Sequence, residues 1–320
     1  MRRPALLLVL PLLVTVGCTA TGGDPAAGPT GPAPRAEAFD QRATEVAEAW
    51  RPGPDWRTGY VPLQGPTVLT GDPRFTPDTE TAFRSGWFRV QVAIPPTRVG
   101  AEIRFPDGRL TLPLVSAAEA FRQLDRDDPM PCLERPKRSG RPTPGGPTVE
   151  PGPDGWVTGT PEPAPRPCRS LTVTGVTLSS VPVRTSRGEA QVPAWLFTIE
   201  ELATPVAQLA VAPSAVSPVP EPTGPPRSLP DGLVAAQDLT AVDGARLTFR
   251  LGVGACDTGI TPLVRELPDV VVVGGRVTRS TGVCTDQLKL EPVTITLAAP
   301  LGARAVLNVA TGAPLSFAPR

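Results

Sequence analysis

No histidine occurs among the 320 residues of this sequence. Histidine is the usual general base near neutral pH and the commonest metal ligand, so its absence excludes serine–histidine and cysteine–histidine catalysis. Zinc sites rich in cysteine usually contain Cys-x₂₋₄-Cys pairs, whereas Cys132, Cys168, Cys256 and Cys284 are widely dispersed. We therefore expect no metal centre and no cofactor.

An excess of charge of either sign is also missing, because 31 basic residues balance 31 acidic ones. A balanced chain has no electrostatic basis for capturing nucleic acid or anionic lipid. Gly274 and Gly275 follow a strand-like run, but no helical pattern follows them, so they do not indicate a phosphate-binding loop. Nucleic acid is therefore not an expected partner.

The apolar run near the N-terminus is short. It extends from about residue 4 to 17, directly behind Arg2 and Arg3. A membrane-spanning helix needs about 20 apolar residues, so this run is not a permanent transmembrane anchor. A basic pair followed by a short apolar stretch is typical of an export signal, which we assign to residues 1–17.

The export signal ends in Thr15-Val16-Gly17-Cys18, which resembles the lipobox of bacterial lipoproteins. The resemblance implies cleavage before Cys18 and attachment of a diacylglyceryl group to it. Two acyl chains hold a protein on a membrane where one binds only marginally. Membrane lipid is then the expected partner and the extracytoplasmic face of the membrane the expected location. Soluble secretion, with Cys18 in the discarded peptide, is the alternative.

Proline is abundant, with 44 residues, and it breaks helices and is excluded from central strands. The sequence therefore predicts a mainly β protein with two small sandwich-like domains, one or two short helices and Pro-rich linkers. A tether at 18–34 precedes an N-terminal β-rich domain at 35–212, which contains a Pro/Gly-rich loop at 133–167. A Pro-rich linker at 213–232 leads to a C-terminal β domain at 233–320.

Local patterns locate several elements. Residues 35–50 carry an apolar stripe at helical spacing, which we expect to pack on the N-terminal domain. A partner helix or a membrane surface is the alternative. Alternation predicts strands at 88–94, 171–178, 181–184, 191–199, 247–253 and 293–297, with a buried apolar run at 270–273. A Pro-Asp-Gly turn predicts a hairpin over 101–114. Ser116 and Glu119 indicate the start of a short helix.

The cysteine count is explained by the lipobox. If Cys18 carries lipid, an even set of four remains, and an even set in an exported chain indicates disulfides. Four cysteines allow three pairings. The proposed domain boundary leaves two cysteines on each side of it, which favours Cys132–Cys168 and Cys256–Cys284 over crossed pairings.

The C-terminal region also supports a lipoprotein. The segment Gly254-Ala-Cys-Asp257, the run at 270–273, Gly282-Val-Cys284-Thr285 and the stretch from Pro300 to Gly312 together resemble the C-terminal region of uncharacterised actinobacterial lipoproteins. The likeness covers roughly the last 80 residues. It implies no activity.

Two aromatic residues are candidates for ligand binding. Trp56 and Tyr60 lie in a Pro/Gly-rich stretch, and exposed aromatic rings can stack on sugars or anchor a protein. The alternative is that they cover a domain edge. We expect a non-catalytic binding or interaction role in the cell envelope, with an envelope protein or glycan as the partner.

Acidic clusters offer weaker candidates. Asp125, Asp127 and Asp128 lack the glycine and distal glutamate of a calcium-binding loop. Glu200 and Glu201 are adjacent, so on a strand their side chains face opposite ways. Carboxylate-dependent hydrolysis of a cell-wall or extracellular polymer needs no histidine. A tethered hydrolase is therefore the alternative to a binding protein, although the sequence nominates no pair of carboxylates.

The disulfide assignment predicts that the denatured, unreduced mature protein contains no titratable thiol. Reduction before denaturation should expose four. Counting thiols with a chromogenic disulfide reagent, with and without prior reduction, checks this expectation. Two or more thiols without reduction would contradict it.

Overall fold

The computed structural model describes residues 32–96, 100–126, 170–222 and 228–318. In these ranges the chain is mainly β and forms two curled sheets with few short helices, which confirms the predicted fold class. The helices are α1 (Pro32–Ala49), α2 (Pro54–Thr58), α3 (Pro77–Ser85) and α4 (Ala117–Leu124). The strands of the first sheet are β1 (Thr67–Leu69), β2 (Phe88–Val90), β3 (Gly100–Phe105), β4 (Gly108–Pro113), β5 (Leu171–Thr185), β6 (Gly188–Ile199) and β7 (Val206–Leu209). Those of the second are β8 (Leu233–Asp243), β9 (Arg246–Gly254), β10 (Thr258–Glu266), β11 (Val270–Thr278), β12 (Leu288–Thr296) and β13 (Ala305–Asn308).

The first sheet is organised around β6. This strand pairs along its length with β5 on one side, and with β7 and β3 on the other. Helices α3 and α4 contribute to the apolar core on one face of the sheet, which also contains Trp195 and Phe197. The opposite face buries Tyr60 and Ile103. A sheet covered on both faces explains why β6 is buried along most of its length.

The second sheet has the strand order β10-β11-β8-β9-β12, with β13 parallel to β11. It curls so that its two end strands, β10 and β12, approach each other. The alternating residues of β9, among them Leu247, Phe249 and Leu251, point into the curl and are completely buried. This alternation is the period-two pattern that predicted the strand.

Helix α1 packs chiefly on the second sheet, and Val61 and Leu63 of the predicted N-terminal domain complete the same core. The expectation that the helix docks on the N-terminal domain was therefore only partly right. The apolar stripe of α1, Phe39, Ala43 and Val46, is buried in one core with the outward face of β11 and β13. The stripe correctly predicted that the helix is docked. The stripe could not identify the surface on which the helix docks, because helical periodicity specifies which face of the helix is buried and not which residues cover it.

A glycine makes this docking possible. A Cβ atom built on Gly274 of β11 would lie 2.6 Å from a methyl group of Val309 and 3.4 Å from the ring of Phe39. The missing side chain lets α1 and the segment after β13 approach the strand closely. Gly274 therefore has a packing role, in agreement with the rejection of a phosphate-binding loop.

The segment from α2 to Leu63 lies between the two sheets and binds both. The Ser186 side chain donates to the carbonyl of Trp56 at 2.7 Å, and the Leu63 amide donates to the carbonyl of Arg184 at 2.9 Å. The Leu63 carbonyl in turn accepts the amide of Phe317 at 2.7 Å. Val61 and Leu63 are buried in the core that contains α1. The two sheets are thus joined by packed chain as well as by the Pro-rich stretch.

Two strands differ in extent from their predictions. The strand predicted at 88–94 is shorter in the structure, where β2 ends at Val90 and pairs only with β5. Conversely, the two strands predicted at 171–178 and 181–184 form the single strand β5, which pairs with β6 as far as Thr185. The hairpin of β3 and β4 confirms its prediction, with Gly108 at a φ of 152°.

Among the described residues, no helix combines the length and the apolar character that crossing a bilayer requires. Residues 1–17, Cys18, Cys132, Cys168 and the loop at 133–167 lie outside the described ranges. The predictions for them stay predictions.

Replacing Gly274 with alanine should lower the free energy of unfolding by roughly 1–3 kcal/mol, because an added methyl group overpacks a filled core. Gly65→Ala is the matched control, since a Cβ there meets no atom within 4 Å. Urea denaturation followed by circular dichroism measures both. Equal stability of the two variants would contradict the close packing of α1 on β11.

Candidate functional site

A cleft of about 730 Å³ opens where the C-terminal end of α1 meets turns from both sheets. Its walls are the end of α1 with the following loop and α2, the β3–β4 and β5–β6 turns, and the β10–β11 turn. Small-molecule pockets usually have volumes of about 300–1,000 Å³. The lining residues are Thr44, Ala47, Glu48, Trp50, Arg51, Pro52, Trp56, Arg57, Asp107, Ser186, Arg187, Leu267, Pro268, Asp269, Val270 and Ala303.

Two tryptophans form the aromatic part of the cleft. The rings of Trp50 and Trp56 meet edge to face, with their centroids 5.2 Å apart and their planes at 84°. Trp50 directly follows α1 and its amide donates to the carbonyl of Val46 at 3.1 Å, while Trp56 lies on the short helix that comes next. Edge-to-face pairs add to the stability that burial provides. The aromatic surface is therefore held in place by local packing.

One arginine organises the wall that comes from the first sheet. Nε of Arg187 donates to Oδ2 of Asp107 at 3.0 Å, and Nη2 donates to Oδ1 at 2.7 Å. The guanidinium also lies 3.9 Å from the ring centroid of Phe105 and donates to the carbonyl of Thr58 at 3.3 Å. A forked carboxylate contact and a ring contact together fix the guanidinium plane. This arginine ties two hairpin turns to the end of α2.

One carboxylate supports the wall that comes from the second sheet. Oε1 of Glu266 accepts the amide of Ala298 at 2.7 Å, and Oε2 pairs with Arg304 at 2.9 Å. The Ala298 amide and the Arg304 guanidinium together hold the pKa of Glu266 below its usual range, although partial burial acts in the opposite direction. Glu266 directly precedes Leu267 and Pro268 of the cleft wall, so this bonding holds the wall against the turn that contains Ala303.

The rim of the cleft carries both signs of charge. Glu48, Arg51, Arg57 and Asp269 are exposed to solvent around the opening. Polar groups of both signs beside an apolar floor suit a ligand that has hydroxyl, amide or charged groups on one side and an apolar face on the other.

The two aromatic residues proposed from the sequence are buried. Trp56 is only 6% exposed, although it lines the cleft. Tyr60 is 2% exposed, does not line the cleft and packs against the first sheet. The burial of both rings matches the alternative considered from the sequence, that they cover a domain edge. The Pro/Gly-rich stretch does not expose them because its backbone is bound to the neighbouring strands.

The Tyr60 hydroxyl has no hydrogen-bond partner in the described part of the chain. Burial raises the pKa of this phenol, because the charged form loses its water. Tyr60 thus serves the packing of the first sheet.

Two of the acidic residues considered in the sequence, Asp125 and Glu201, have structural contacts. Asp125 follows α4, and its carboxylate accepts the amide of Phe88 at 3.2 Å. The Glu201 carboxylate accepts both the amide and the hydroxyl of Thr172, at 2.8 and 2.9 Å. Asp127 and Asp128 lie outside the described ranges. Across residues 32–96, 100–126, 170–222 and 228–318, acidic and cysteine side chains form no group of three or more that could hold a metal.

Cys256 and Cys284 are joined by a disulfide bond. This agrees with one of the two pairings expected from the sequence. The bond closes the segment that contains β10 and β11, and it lies at the end of the second sheet remote from the cleft.

Sequence reasoning missed most of the cleft. Trp50 was assigned to a buried helical stripe, Asp107 was treated only as a turn residue, and Arg187 was not singled out. Helical stripes and turn signals are patterns among neighbouring residues, whereas the cleft forms because turns that are distant in the sequence meet.

Comparison with protein-family models, curated proteins and solved structures found no match for this chain.

The bonding of Glu266 makes a pH-dependent prediction. Because its folded pKa is depressed, its stabilising contribution is present above the unfolded pKa of about 4.3 and is lost as the pH falls through the folded value. Glu266→Gln should therefore cost roughly 1–2 kcal/mol at pH 7, and the difference from the unsubstituted protein should shrink in acid. Urea midpoints at pH 7 and below pH 4 measure this change.

Glu291→Gln is the control, because Glu291 makes only a 4.0 Å surface contact with Lys289. A cost at Glu266 that is the same at both pH values would contradict the assigned role.

Proposed function

We propose that this protein is a lipid-anchored lipoprotein of the bacterial cell envelope that binds a ligand at the cleft without transforming it. Acylated Cys18 attaches it to the extracytoplasmic face of the membrane. The single observation that carries the binding role is the Trp50 ring, which packs edge to face on the buried ring of Trp56 and lies inside a concave, charged rim.

The shape of the cleft supports a glycan rather than a protein as the ligand. A stable protein–protein interface buries about 800 Å² on each partner and is usually broad. A concave site of about 730 Å³ accommodates one or two sugar residues with their substituents. Sugars combine apolar faces, which pack on aromatic rings, with hydroxyl groups that bind the charged rim. Cell-wall glycan fragments are therefore the proposed ligand class.

The environment of the cleft carboxylates supports binding over hydrolysis. Glycoside hydrolysis requires one carboxyl group that stays protonated in an apolar pocket and a second one that is ionised. Glu48, Asp107 and Asp269 line the cleft and all are exposed, and Asp107 is also paired with Arg187. None of the three lies in an apolar pocket of the kind that the acid of such a pair occupies. The tethered hydrolase is thus the weaker candidate.

Binding can be tested with soluble disaccharide-peptide fragments of peptidoglycan as the probe. Titration should change the tryptophan emission of the intact protein. Trp50→Leu should weaken binding by about 3–10-fold, the range expected for one aromatic contact. Trp87→Leu is the matched control, because Trp87 is also partly buried but belongs to the core of the first sheet.

Equal weakening by the two substitutions, or no binding by the unsubstituted protein, would contradict the assignment of the cleft to a glycan. Release of reducing ends from the probe would favour the hydrolase.

A further inference from the structure

The end of the second sheet that carries the disulfide bond exposes apolar side chains. We call residues 279–290 the disulfide tip. Val283 is fully exposed, Leu288 is 62% exposed and Leu290 is 40% exposed. In the described part of the chain, these are three of the five large apolar side chains classed as exposed. Their concentration in one short segment distinguishes the disulfide tip from scattered surface residues.

The backbone pairing explains the exposure of the two leucines. Leu288 lies opposite Gly254 and Leu290 lies opposite Gly252 in the β12–β9 ladder. Glycine offers no side chain to cover a cross-strand neighbour. Both leucines therefore project from the outer face of the sheet.

The disulfide tip is held firmly in this position. Cys284 is bonded to Cys256, and the Ala255 amide donates to the carbonyl of Gln287 at 3.0 Å. Asp257 accepts the amide of Gly254 at 2.7 Å and pairs with Arg279 at 2.6 Å. The apolar side chains are thus presented by a braced segment.

The start of α1 lies at the same end of the molecule. A Cβ atom built on Gly232 would lie 2.8 Å from the Arg35 side chain, and the Gly232 carbonyl accepts the amide of Val277 at 2.8 Å. Two residues further along, Arg279 approaches Asp231 at 3.8 Å. The first turns of α1 are therefore close neighbours of the strand that leads into the disulfide tip.

The cleft lies at the opposite end. Helix α1 runs from this end to Ala49, directly before Trp50 of the cleft, and the cleft also includes Val270 at the start of β11. An 18-residue helix is about 27 Å long. The molecule thus has one end with the disulfide tip and the start of α1, and another with the cleft.

We propose that the disulfide tip contacts the membrane surface and that its three apolar side chains enter the interface between headgroups and acyl chains. This inference rests on the proposed acylation of Cys18. About 14 residues separate Cys18 from Pro32, and a chain of that length reaches at most roughly 50 Å. The acyl chains therefore limit how far the disulfide tip can move from the bilayer, and the tether joins the protein at the end that carries this tip.

The alternative occupant, a second copy of this chain, is less suited to the surface. Addition of a strand to β12 requires free amide groups along its outer edge, and Pro292 in the middle of β12 has none. The surroundings carry both signs of charge, from Lys289, Asp286 and Arg279. Because they have no large excess of one sign, the contact with lipid depends on the apolar side chains. Contact by the disulfide tip also turns the cleft away from the membrane.

The test uses tryptophan as a depth probe on one strand. Leu288→Trp and Thr296→Trp place the probe at the two ends of β12, at exposed positions eight residues apart on the same face, which is about 27 Å. The full-length gene is expressed in its host, and each mature variant is reconstituted into phosphatidylcholine–phosphatidylglycerol vesicles with brominated acyl chains. Emission of the unsubstituted protein is subtracted.

We expect bromine to reduce the added emission at least twofold for Leu288→Trp and to leave that for Thr296→Trp unchanged. Introducing aspartate at Val283 into the Leu288→Trp protein should abolish the quenching, because a charge opposes insertion. Absence of quenching in Leu288→Trp, or equal quenching at both positions, would overturn the proposal. A dimer in sedimentation that the Val283→Asp substitution dissolves would overturn it in favour of a second copy.

The intact mass of each preparation separates this proposal from the proposed anchor. An acylated protein without quenching retains the anchor and overturns the contact. An unacylated protein whose Leu288→Trp probe is still quenched supports the contact and overturns the anchor. An unacylated protein without quenching overturns both.

Discussion

The docking of α1 on β11 is the packing interaction on which the rest of this architecture depends. It brings Phe39, Ala43 and Val46 against the outward face of the second sheet, at the point where Gly274 leaves room for them. Without the helix, the buried valines of β11 that face outward would meet water. The same docking positions Trp50 and thereby one wall of the cleft.

The docking also gives the molecule a direction. Because α1 lies along the second sheet, its beginning and its end are fixed at opposite ends of that sheet. Its beginning lies next to Gly232 and Val277, and its end lies beside the β10–β11 turn. A lipid group attached upstream of α1 would therefore be joined to one particular end of the protein. The proposed anchor and membrane contact therefore lie at the beginning of the helix, and the cleft lies at its end.

The predictable part of this structure is the part encoded by neighbouring residues. Alternating residues such as Leu247, Phe249 and Leu251 predicted β9, and Asp107-Gly108 predicted a hairpin, because strand faces and turns are local properties. The pairing of Cys256 with Cys284 followed from the position of a linker. The burial of Trp56 and Tyr60 could not be predicted from neighbouring residues, because the residues that cover them lie far away in the sequence.

The candidate site was less predictable than the fold for the same reason. Arg187 contacts Asp107 and the carbonyl of Thr58. The residues next to Arg187 in the sequence do not predict these contacts. The helix partner posed a similar difficulty, since a stripe fits any apolar groove of suitable length. The Gly274-Gly275 pair was a local sign of close approach, but glycine alone does not say what approaches.

Hydrogen exchange, followed by mass spectrometry on the peptides that cover α1 and β11, tests the shared core most directly. If the helix and the strand belong to one core, their slowest amides should exchange with the same opening free energy and lose protection together as urea is added. Exchange of α1 within seconds while β11 stays protected would show that the helix is not an integral part of the second sheet's core, and would contradict this account of the molecule.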